Sequence, residues 1–226
     1  MPTLGKTWIL YLHGLNSSSL SYKAGRLRQR LAPFPLLAPA YPAHRPHAAI
    51  ARLSALLEAL EGTVPPLVVG SSMGGFYGQY LARRYDFARL FLINPALMPW
   101  DLLSAYLGQT MTTAAEDSYL VTRELIDQTR AYGILDPCDG VPTTLFLDRG
   151  DEVIDYRIAE GLYRDCGRLF IYDGGDHGFQ HLEEAIAVVR EEVSRCQGQG
   201  PRRLQRVDRT YSALRRASRG GRTRRG

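Results

Sequence analysis

The sequence predicts an α/β fold, in which a mostly parallel sheet has helices on both faces and a small helical cap. Two observations lead to this prediction. Short apolar runs of strand length alternate with segments whose apolar residues recur every three or four positions. Some of the strand-like runs are apolar almost without interruption, as in strands buried on both faces. Because strands and helices alternate, successive strands are expected to be parallel and joined by helices.

The first part of the chain contains three predicted strands and three predicted helices. Pro33 ends the first helix and Gly62 stops the second, since proline cannot continue a helix and glycine favours its C-terminal turn. A proline-rich loop separates the second strand from the second helix. The strands are predicted at residues 7–12, 34–38 and 67–70, and the helices at residues 20–31, 48–60 and 76–84.

The second part contains a long insertion between two strands. A strand at residues 87–93 ends at the turn Asn94-Pro95-Ala96, and the next clear strand begins only at residue 142. Because a long structureless loop is unusual in a compact domain, the insertion, about 97–140, is predicted to form a small helical cap. The remaining elements are predicted as a strand at 142–147, a helix at 155–162, a strand at 168–172 and a closing helix at 181–196.

The composition indicates one domain. A chain of 226 residues with 45% hydrophobic residues buries one good core, which we assign to residues 1–196. No apolar run approaches the 18 residues or so of a membrane span, and the N-terminus lacks the layout of a signal peptide. The three cysteines, Cys138, Cys166 and Cys196, are far apart, so we expect neither a disulfide framework nor a zinc knuckle. A cytoplasmic location fits these features.

The C-terminal residues 197–226 form a separate basic tail. Residues 201–226 contain ten arginines and one aspartate, a net charge of +9 within a total of +5, which leaves −4 on the preceding 200 residues. Arginine, serine and glycine dominate the tail, and this composition favours disorder. Two alternatives stay open: a short amphipathic helix docked on the acidic body, and a contact with nucleic acid or an anionic membrane.

Residues 70–74 form the pattern Gly-x-Ser-x-Gly with Ser72 at its centre. The pattern also arises by chance, so its surroundings decide its meaning. Here an apolar strand precedes it, and Phe76, Tyr80 and Leu81 follow it at helical spacing. In such a strand–turn–helix corner the serine hydroxyl is exposed at a helix N-terminus, and only glycine fits beside it. We therefore predict that Ser72 is a nucleophile; the alternative is a glycine-rich turn with an inert serine.

A serine nucleophile needs two partners: a neutral imidazole that accepts its proton and a carboxylate that orients the imidazole. Asp151 and His177 follow Ser72 in the chain, each in a loop after a predicted strand. This order of serine, acid and histidine is that of the α/β-hydrolase fold. We predict that these three residues form a catalytic triad.

Several carboxylates compete for the role of the acid. Asp148 lies at the end of a strand, and Asp155 is predicted to cap the following helix. Asp176 is adjacent to the candidate histidine, and neighbouring side chains do not easily meet, so we assign it to the turn. Asp151, on the loop between strand and helix, has the best reach, and Glu152 is the main alternative.

The other histidines are weaker candidates for the base. His44 and His47 lie in the proline-rich loop, and His181 opens a helix, whereas His177 lies between glycine-rich residues after the last strand. His177 and His181 are four residues apart, but no zinc motif with a glutamate surrounds them. We therefore expect no metal and no cofactor.

The tetrahedral intermediate of acyl transfer needs backbone N–H donors for its oxyanion. One donor usually follows the nucleophile, and the other lies in the loop after an early strand. Met73 and Leu15 occupy these positions and form the predicted oxyanion hole. His13, just before that loop, is expected to hold the loop in place and not to act as a base.

Six short motifs occur in order along the chain: Tyr11-Leu12-His13-Gly14-Leu15-Asn16-Ser17-Ser18 with Lys23-Ala24, Gly70-Ser71-Ser72-Met73-Gly74-Gly75-Phe76-Tyr77, Asn94-Pro95-Ala96, Tyr106-Leu107-Gly108-Gln109, Gly150-Asp151-Glu152-Val153 and Gly174-Gly175-Asp176-His177-Gly178-Phe179. Together these motifs resemble the YqiA/YcfP family of small bacterial α/β-hydrolase esterases, over residues from about 8 to 193. The Asn-Ser-Ser loop and its lysine are not needed by the general fold, which makes the resemblance specific.

The resemblance implies an esterase that acts on short acyl esters, with Ser72, Asp151 and His177 at the family's triad positions. It does not supply a natural substrate. The chain departs from the family in its arginine-rich tail and, less importantly, in Gly178, where alanine is common.

The sequence thus predicts a serine esterase or thioesterase, acting on a small acyl ester through an acyl-enzyme on Ser72. In this interpretation Trp100 and Tyr106 of the cap bound the acyl site. Two alternatives stay open: an enzyme that cleaves an amide with the same triad, and an adaptor whose hydrolase core is a scaffold and whose basic tail binds nucleic acid or a membrane. The sequence leaves the oligomeric state undetermined.

Overall fold

A computed structural model describes residues 6–138 and 140–198. The strands are β1 (Ile9–Leu12), β2 (Leu36–Leu37), β3 (Leu67–Ser71), β4 (Arg89–Ile93), β5 (Thr110–Thr112), β6 (Ser118–Leu120), β7 (Thr143–Asp148) and β8 (Gly167–Tyr172). The helices are α1 (Tyr22–Arg30), α2 (Pro46–Ala59), α3 (Met73–Leu81), α4 (Pro99–Ser104), α5 (Arg123–Arg130), α6 (Tyr156–Tyr163) and α7 (Leu182–Gly198). Of the predicted basic tail, residues 197–198 form the end of α7, and residues 199–226 lie outside the described residues.

Six strands form one parallel sheet in the order β2-β1-β3-β4-β7-β8. The chain moves from β1 outward to β2 and then returns to β3 on the other side of β1, so the strand order reverses between β1 and β3. In open α/β sheets, ligands bind beyond the carboxyl ends of the strands at such a reversal. The predicted mostly parallel sheet is confirmed.

Two apolar clusters cover the two faces of this sheet. The side chains of β1, β3, β4 and β7 alternate between the faces, so each strand contributes to both clusters. One cluster packs against α2, α3, α6 and the insertion, and the other packs against α1 and α7. The continuous apolar runs of the central strands therefore reflect burial on both faces, as predicted.

The insertion contains α4, α5 and a two-stranded antiparallel hairpin formed by β5 and β6. The hairpin was not predicted, because the insertion was assigned to helices alone and because β5 and β6 have only three residues each. The two helices lie where apolar residues recur at helical spacing. Trp100 of α4 is buried at 5% exposure and packs edge-on against Phe76 of α3, which ties the insertion to the sheet domain.

Cys138 and Cys166 form a disulfide bond, so the expectation of none is wrong. Cys138 lies shortly before β7 and Cys166 directly before β8, 28 residues later. Because β7 and β8 are adjacent and parallel, their amino ends meet at one edge of the sheet, and the two Cα atoms are 5.3 Å apart. Local cysteine spacing does not detect such a pair. Because of this bond, the cysteines no longer support the predicted cytoplasmic location.

Within the described ranges, no helix combines the length and the apolar character that a bilayer crossing requires.

Candidate active site

Every predicted site residue lies at the carboxyl edge of the parallel sheet. Leu15 follows β1, Ser72 follows β3, Asp151 follows β7 and His177 follows β8. The ends of β7 and β8 are level with each other, since the register pairs Asp148 with Tyr172. Both strands extend two residues beyond the position that pairs with the end of β4. The loops that carry the predicted site residues therefore all leave the same edge of the sheet, where open α/β sheets bind ligands.

Ser72 occupies a strained corner between β3 and α3. Its φ and ψ are 53° and −122°, a conformation that is costly for a residue with a Cβ. The corner is held by a hydrogen bond from the Ser72 N–H to the Ile93 carbonyl (3.0 Å) and by one from the Ala96 N–H to the Ser72 carbonyl (3.1 Å). A Cβ on Gly70 would lie 2.6 Å from the Gly74 carbonyl oxygen, so the turn closes only with glycine there.

Three side chains form a continuous hydrogen-bonded line from this serine. The Ser72 Oγ and His177 Nε2 are 3.1 Å apart, and the His177 Nδ1 is 2.9 Å from Asp151 Oδ2. Asp151 is only 2% exposed, and its Oδ1 also accepts hydrogen bonds from the N–H groups of Val153 and Ile154, both 2.9 Å long. These bonds fix the carboxylate, so it can hold the imidazole with Nε2 toward the serine.

The competing acid and base form a second pair beside this line. Asp148 is fully buried, and its two oxygens contact the His181 Nδ1 at 2.6 Å and the Gln180 N–H at 2.8 Å. The His181 ring stacks on Tyr172 at 4.4 Å. This pair ties the end of β7 to the start of α7, and neither member contacts Ser72.

Two residues hold the histidine loop in ways that the sequence did not predict, although Glu152 was named as the main alternative for the acid. The Glu152 Oε2 accepts a hydrogen bond from the His177 N–H (3.0 Å). The Asn94 side chain donates to the Asp176 carbonyl (3.0 Å) and accepts from the Asp148 N–H (2.9 Å), which joins the loops after β7 and β8. The sequence analysis interpreted Asn94-Pro95-Ala96 only as a turn. The position of Asn94 at the end of a strand was the signal that its side chain could bind the neighbouring loops.

Replacing Glu152 by alanine is expected to lower kcat about tenfold, because the backbone of the candidate base loses a charge-assisted hydrogen bond and shifts from its position. Glu152→Gln keeps an acceptor and should recover most of the activity. Steady-state kinetics on an ester that the wild type hydrolyses would measure both effects. An unchanged kcat in Glu152→Ala would show that this bond does not position His177.

The predicted oxyanion donors are the backbone N–H groups of Leu15 and Met73. In the described part of the chain, neither N–H donates to another backbone group outside the regular helices and strands. Met73 is the first residue of α3, where N–H groups have no partner within the helix. The loop after β1 lies directly against the serine, since a Cβ on Gly14 would be 3.1 Å from the Ser72 Cβ.

His13 supports the loop after β1 from the core, as expected. Its Nδ1 lies 2.9 Å from the Gly14 carbonyl oxygen, and its ring stacks on Tyr41 at 4.2 Å. The Tyr41 hydroxyl donates to the His13 carbonyl (2.5 Å). Burial lowers the pKa of His13 and raises the pKa of Tyr41 well above its usual range, so both rings are neutral near pH 7.

The hairpin of the insertion reaches the same loop. The Tyr119 hydroxyl donates to the Asn16 side chain (3.0 Å), and the Tyr119 ring stacks on His44 at 4.7 Å. Burial lowers the pKa of His44 and raises the pKa of Tyr119, which favours the uncharged forms. Tyr119 is therefore the cap residue next to the predicted oxyanion donor, whereas Tyr106 is 44% exposed.

A cavity of about 380 Å³ lies at the opposite, amino edge of the sheet. It is bordered by Trp8, Leu57 and Tyr85 and contains none of the predicted site residues. The candidate triad lies at the other, carboxyl edge of the sheet, away from this cavity. Among the described residues, no cluster of three or more histidine, cysteine or carboxylate side chains could hold a metal ion.

The strand order and the strained corner after β3 define an α/β-hydrolase fold. Residues 8–191 match UPF0227, an uncharacterised protein family, and the chain belongs to this family. UPF0227 is the YqiA/YcfP family that the motifs indicated, so that resemblance is confirmed.

Solved structures share the fold at low sequence identity. Est1E from Butyrivibrio proteoclasticus is 15% identical, with a TM-score of 0.70 over 85% of this chain and 89% of that one. Alpha/beta hydrolase domain-containing protein 10 from mouse is 14% identical, with a TM-score of 0.67 over 85% and 92%. A monoacylglycerol lipase from Paleococcus ferrophilus is 16% identical, with a TM-score of 0.65 over 85% and 96%. At these identities the likeness concerns the fold.

Proposed function

We propose that this protein is a serine esterase, which hydrolyses short to medium acyl esters or thioesters through an acyl-enzyme on Ser72. The observation that carries the proposal is the line from the Ser72 Oγ through His177 to Asp151, with contacts of 3.1 and 2.9 Å. The same three side chains would also serve a hydrolase that cleaves amides. The test therefore compares ester and amide substrates.

In the proposed first step the Ser72 Oγ attacks the acyl carbonyl carbon while His177 Nε2 accepts the hydroxyl proton. The Asp151 carboxylate stabilises the resulting imidazolium. The N–H groups of Leu15 and Met73 donate to the oxyanion of the tetrahedral intermediate. The imidazolium then gives its proton to the leaving alcohol or thiol, and the C–O or C–S bond breaks.

In the second step a water molecule attacks the acyl-enzyme. His177 accepts a proton from the water as a second tetrahedral intermediate forms, and it returns that proton to the Ser72 Oγ as the ester bond to Ser72 breaks. The carboxylic acid leaves, and the serine hydroxyl is restored. These steps balance with water alone as the co-substrate. We assign the acyl side of the site to the face of the hairpin that carries Tyr119 and Met111, because Tyr119 bonds to the loop that supplies the Leu15 N–H.

The solved relatives support the chemistry without fixing the substrate. Est1E has been solved with ferulic acid bound, and the Paleococcus ferrophilus protein is a monoacylglycerol lipase. Both descriptions concern carboxylic acids or their esters, on the fold that this chain shares. A carboxylic ester is therefore the first substrate class to test.

The test measures initial rates with p-nitrophenyl esters of increasing acyl length, each paired with the corresponding p-nitroanilide. We expect hydrolysis of the esters with the shorter chains favoured, and anilide rates lower by several orders of magnitude. Activity on the anilides that equals activity on the esters would replace the esterase by an amide hydrolase. No hydrolysis of any ester or anilide would overturn the proposal.

A further inference from the structure

Lys23 lies within the candidate site, although neither the sequence analysis nor the proposed mechanism gives it a role. Its Nζ donates a hydrogen bond to the Gly178 carbonyl (2.8 Å), directly after His177 in the chain and 155 residues from Lys23. The bond joins the first turn of α1 to the loop after β8. Lys23 therefore connects the helix that follows the oxyanion loop to the loop that holds the candidate base.

The position of this lysine is unfavourable by local rules. Ser21 caps α1 through a hydrogen bond from the Ala24 N–H (3.3 Å), so Lys23 is the second residue of the helix. A positive charge in the first turn opposes the helix dipole. Burial lowers the pKa of Lys23, which means that desolvation also disfavours its charged form. Two such costs at one residue indicate a compensating interaction.

Three carboxylates provide that interaction. Asp176, Asp151 and Asp148 each raise the pKa of Lys23 and so partly offset its burial. One oxygen of Asp176 is buried and accepts no hydrogen bond within the described part of the chain. Without a cation, three carboxylates at the ends of β7 and β8 would repel one another.

We propose that Lys23 is a positioning residue for His177, an inference that rests on the proposed function. Its ammonium group holds the His177 loop through the Gly178 carbonyl and places a positive charge among the carboxylates near the imidazole, which accepts the Ser72 proton in the proposed mechanism. The charged or titratable groups that surround His177 are Lys23 from α1, Asp148, Asp151 and Glu152 from the end of β7 and its loop, Asp176 from its own loop, and His181 at the start of α7.

The proposal predicts a change in pH dependence when the lysine charge is removed. In Lys23→Met the positive charge of Lys23 is lost while the nearby carboxylates remain negative. Protonation of the His177 imidazole then becomes more favourable. An imidazolium cannot accept the Ser72 proton, and the acid limb of the activity profile moves to higher pH by about 0.5 to 1 pH unit. A role confined to the hydrogen bond would lower the rate at every pH and leave the limb in place.

The test uses the full-length protein and a fluorophosphonate probe, whose reaction requires an activated serine and no particular acyl group. The Ser72 Oγ–P bond forms, the P–F bond breaks, fluoride leaves and His177 takes the serine proton. Labelling rates are measured from pH 5 to 9 for the wild type, Lys23→Met, Lys23→Gln and Lys23→Arg. Arg28→Met is the matched control, since Arg28 is an exposed cation on the same helix.

We expect the acid limb of the labelling rate to move to higher pH in both Lys23→Met and Lys23→Gln. In Lys23→Arg the limb should lie close to its wild-type pH, and in Arg28→Met it should not move. Lys23→Gln retains a donor, so it should give a higher plateau rate than Lys23→Met. Superimposed limbs in the wild type and the uncharged variants would overturn the role of Lys23 and leave the esterase standing. If wild-type Ser72 fails to react at any pH, the proposed function falls and this inference falls with it.

Discussion

Ser72→Ala is expected to lower kcat for ester hydrolysis by about a millionfold, because in the proposed mechanism the three hydrogen-bonded side chains act as one unit. The hydroxyl supplies the attacking oxygen, and neither His177 nor Asp151 has another nucleophile to activate among its hydrogen-bond partners within residues 6–138 and 140–198. The substitution keeps the Cβ at the strained corner, so the fold should be retained. Initial rates and a thermal unfolding curve would measure both effects.

If the triad acts as one unit, the losses of kcat caused by separate substitutions in it should not add. His177→Ala alone should cost about as much as Ser72→Ala, and the double variant should cost no more than either single variant. The residual rate would come from the oxyanion donors and substrate binding. A double variant whose loss equals the product of the two single losses would show that the residues act independently and would contradict the triad.

Gly74→Ala is expected to give the largest loss of stability of the substitutions considered, at least about 3 kcal/mol in the free energy of unfolding. A Cβ there would overlap the Leu12 carbonyl oxygen and lie 2.7 Å from the His13 carbonyl oxygen. Both are backbone atoms at the end of β1, so relief requires α3 to move away from the sheet. Because His13 leads into the loop of Leu15, kcat should fall as well.

Gly25→Ala is the matched control for this substitution. Gly25 also lies in a helix, but among the described residues no atom other than those of its chain neighbours and its own helix backbone lies within 4 Å of its missing Cβ. Alanine there should stabilise the protein by about 0.5 to 1 kcal/mol through helix propensity. Urea unfolding of both variants measures the contrast. If Gly74→Ala were as stable as Gly25→Ala, the close approach of α3 to β1 would be wrong.

The fold was predictable because its strands are unusually clear. Residues 67–71 and 143–148 are buried along their whole length, and the apolar stretches 67–69 and 145–147 within them separate them from the helices. The hairpin of the insertion was missed because Thr110–Thr112 and Ser118–Leu120 alternate between exposed and half-buried residues over three positions each. The Cys138–Cys166 bond was missed because only the strand order brings these residues together.

The candidate site was predictable where a residue type and its place in a loop decide its chemistry. Ser72, Asp151 and His177 each follow a strand, and the structure brings the three within hydrogen-bonding distance. The residues around them were not predictable in the same way. Glu152 acts on a backbone N–H and Lys23 acts on a backbone carbonyl, and sequence spacing gives no information on such distant partners.

The acyl-enzyme itself provides the most direct test of the central claim. The wild type would be mixed with p-nitrophenyl acetate, quenched with acid within milliseconds and analysed by mass spectrometry, first intact and then as peptides. An acyl-enzyme on Ser72 predicts a mass gain of one acetyl group on the peptide that contains Ser72, and no gain in Ser72→Ala. Turnover of the ester with no adduct, or with the acetyl group on another residue, would contradict it.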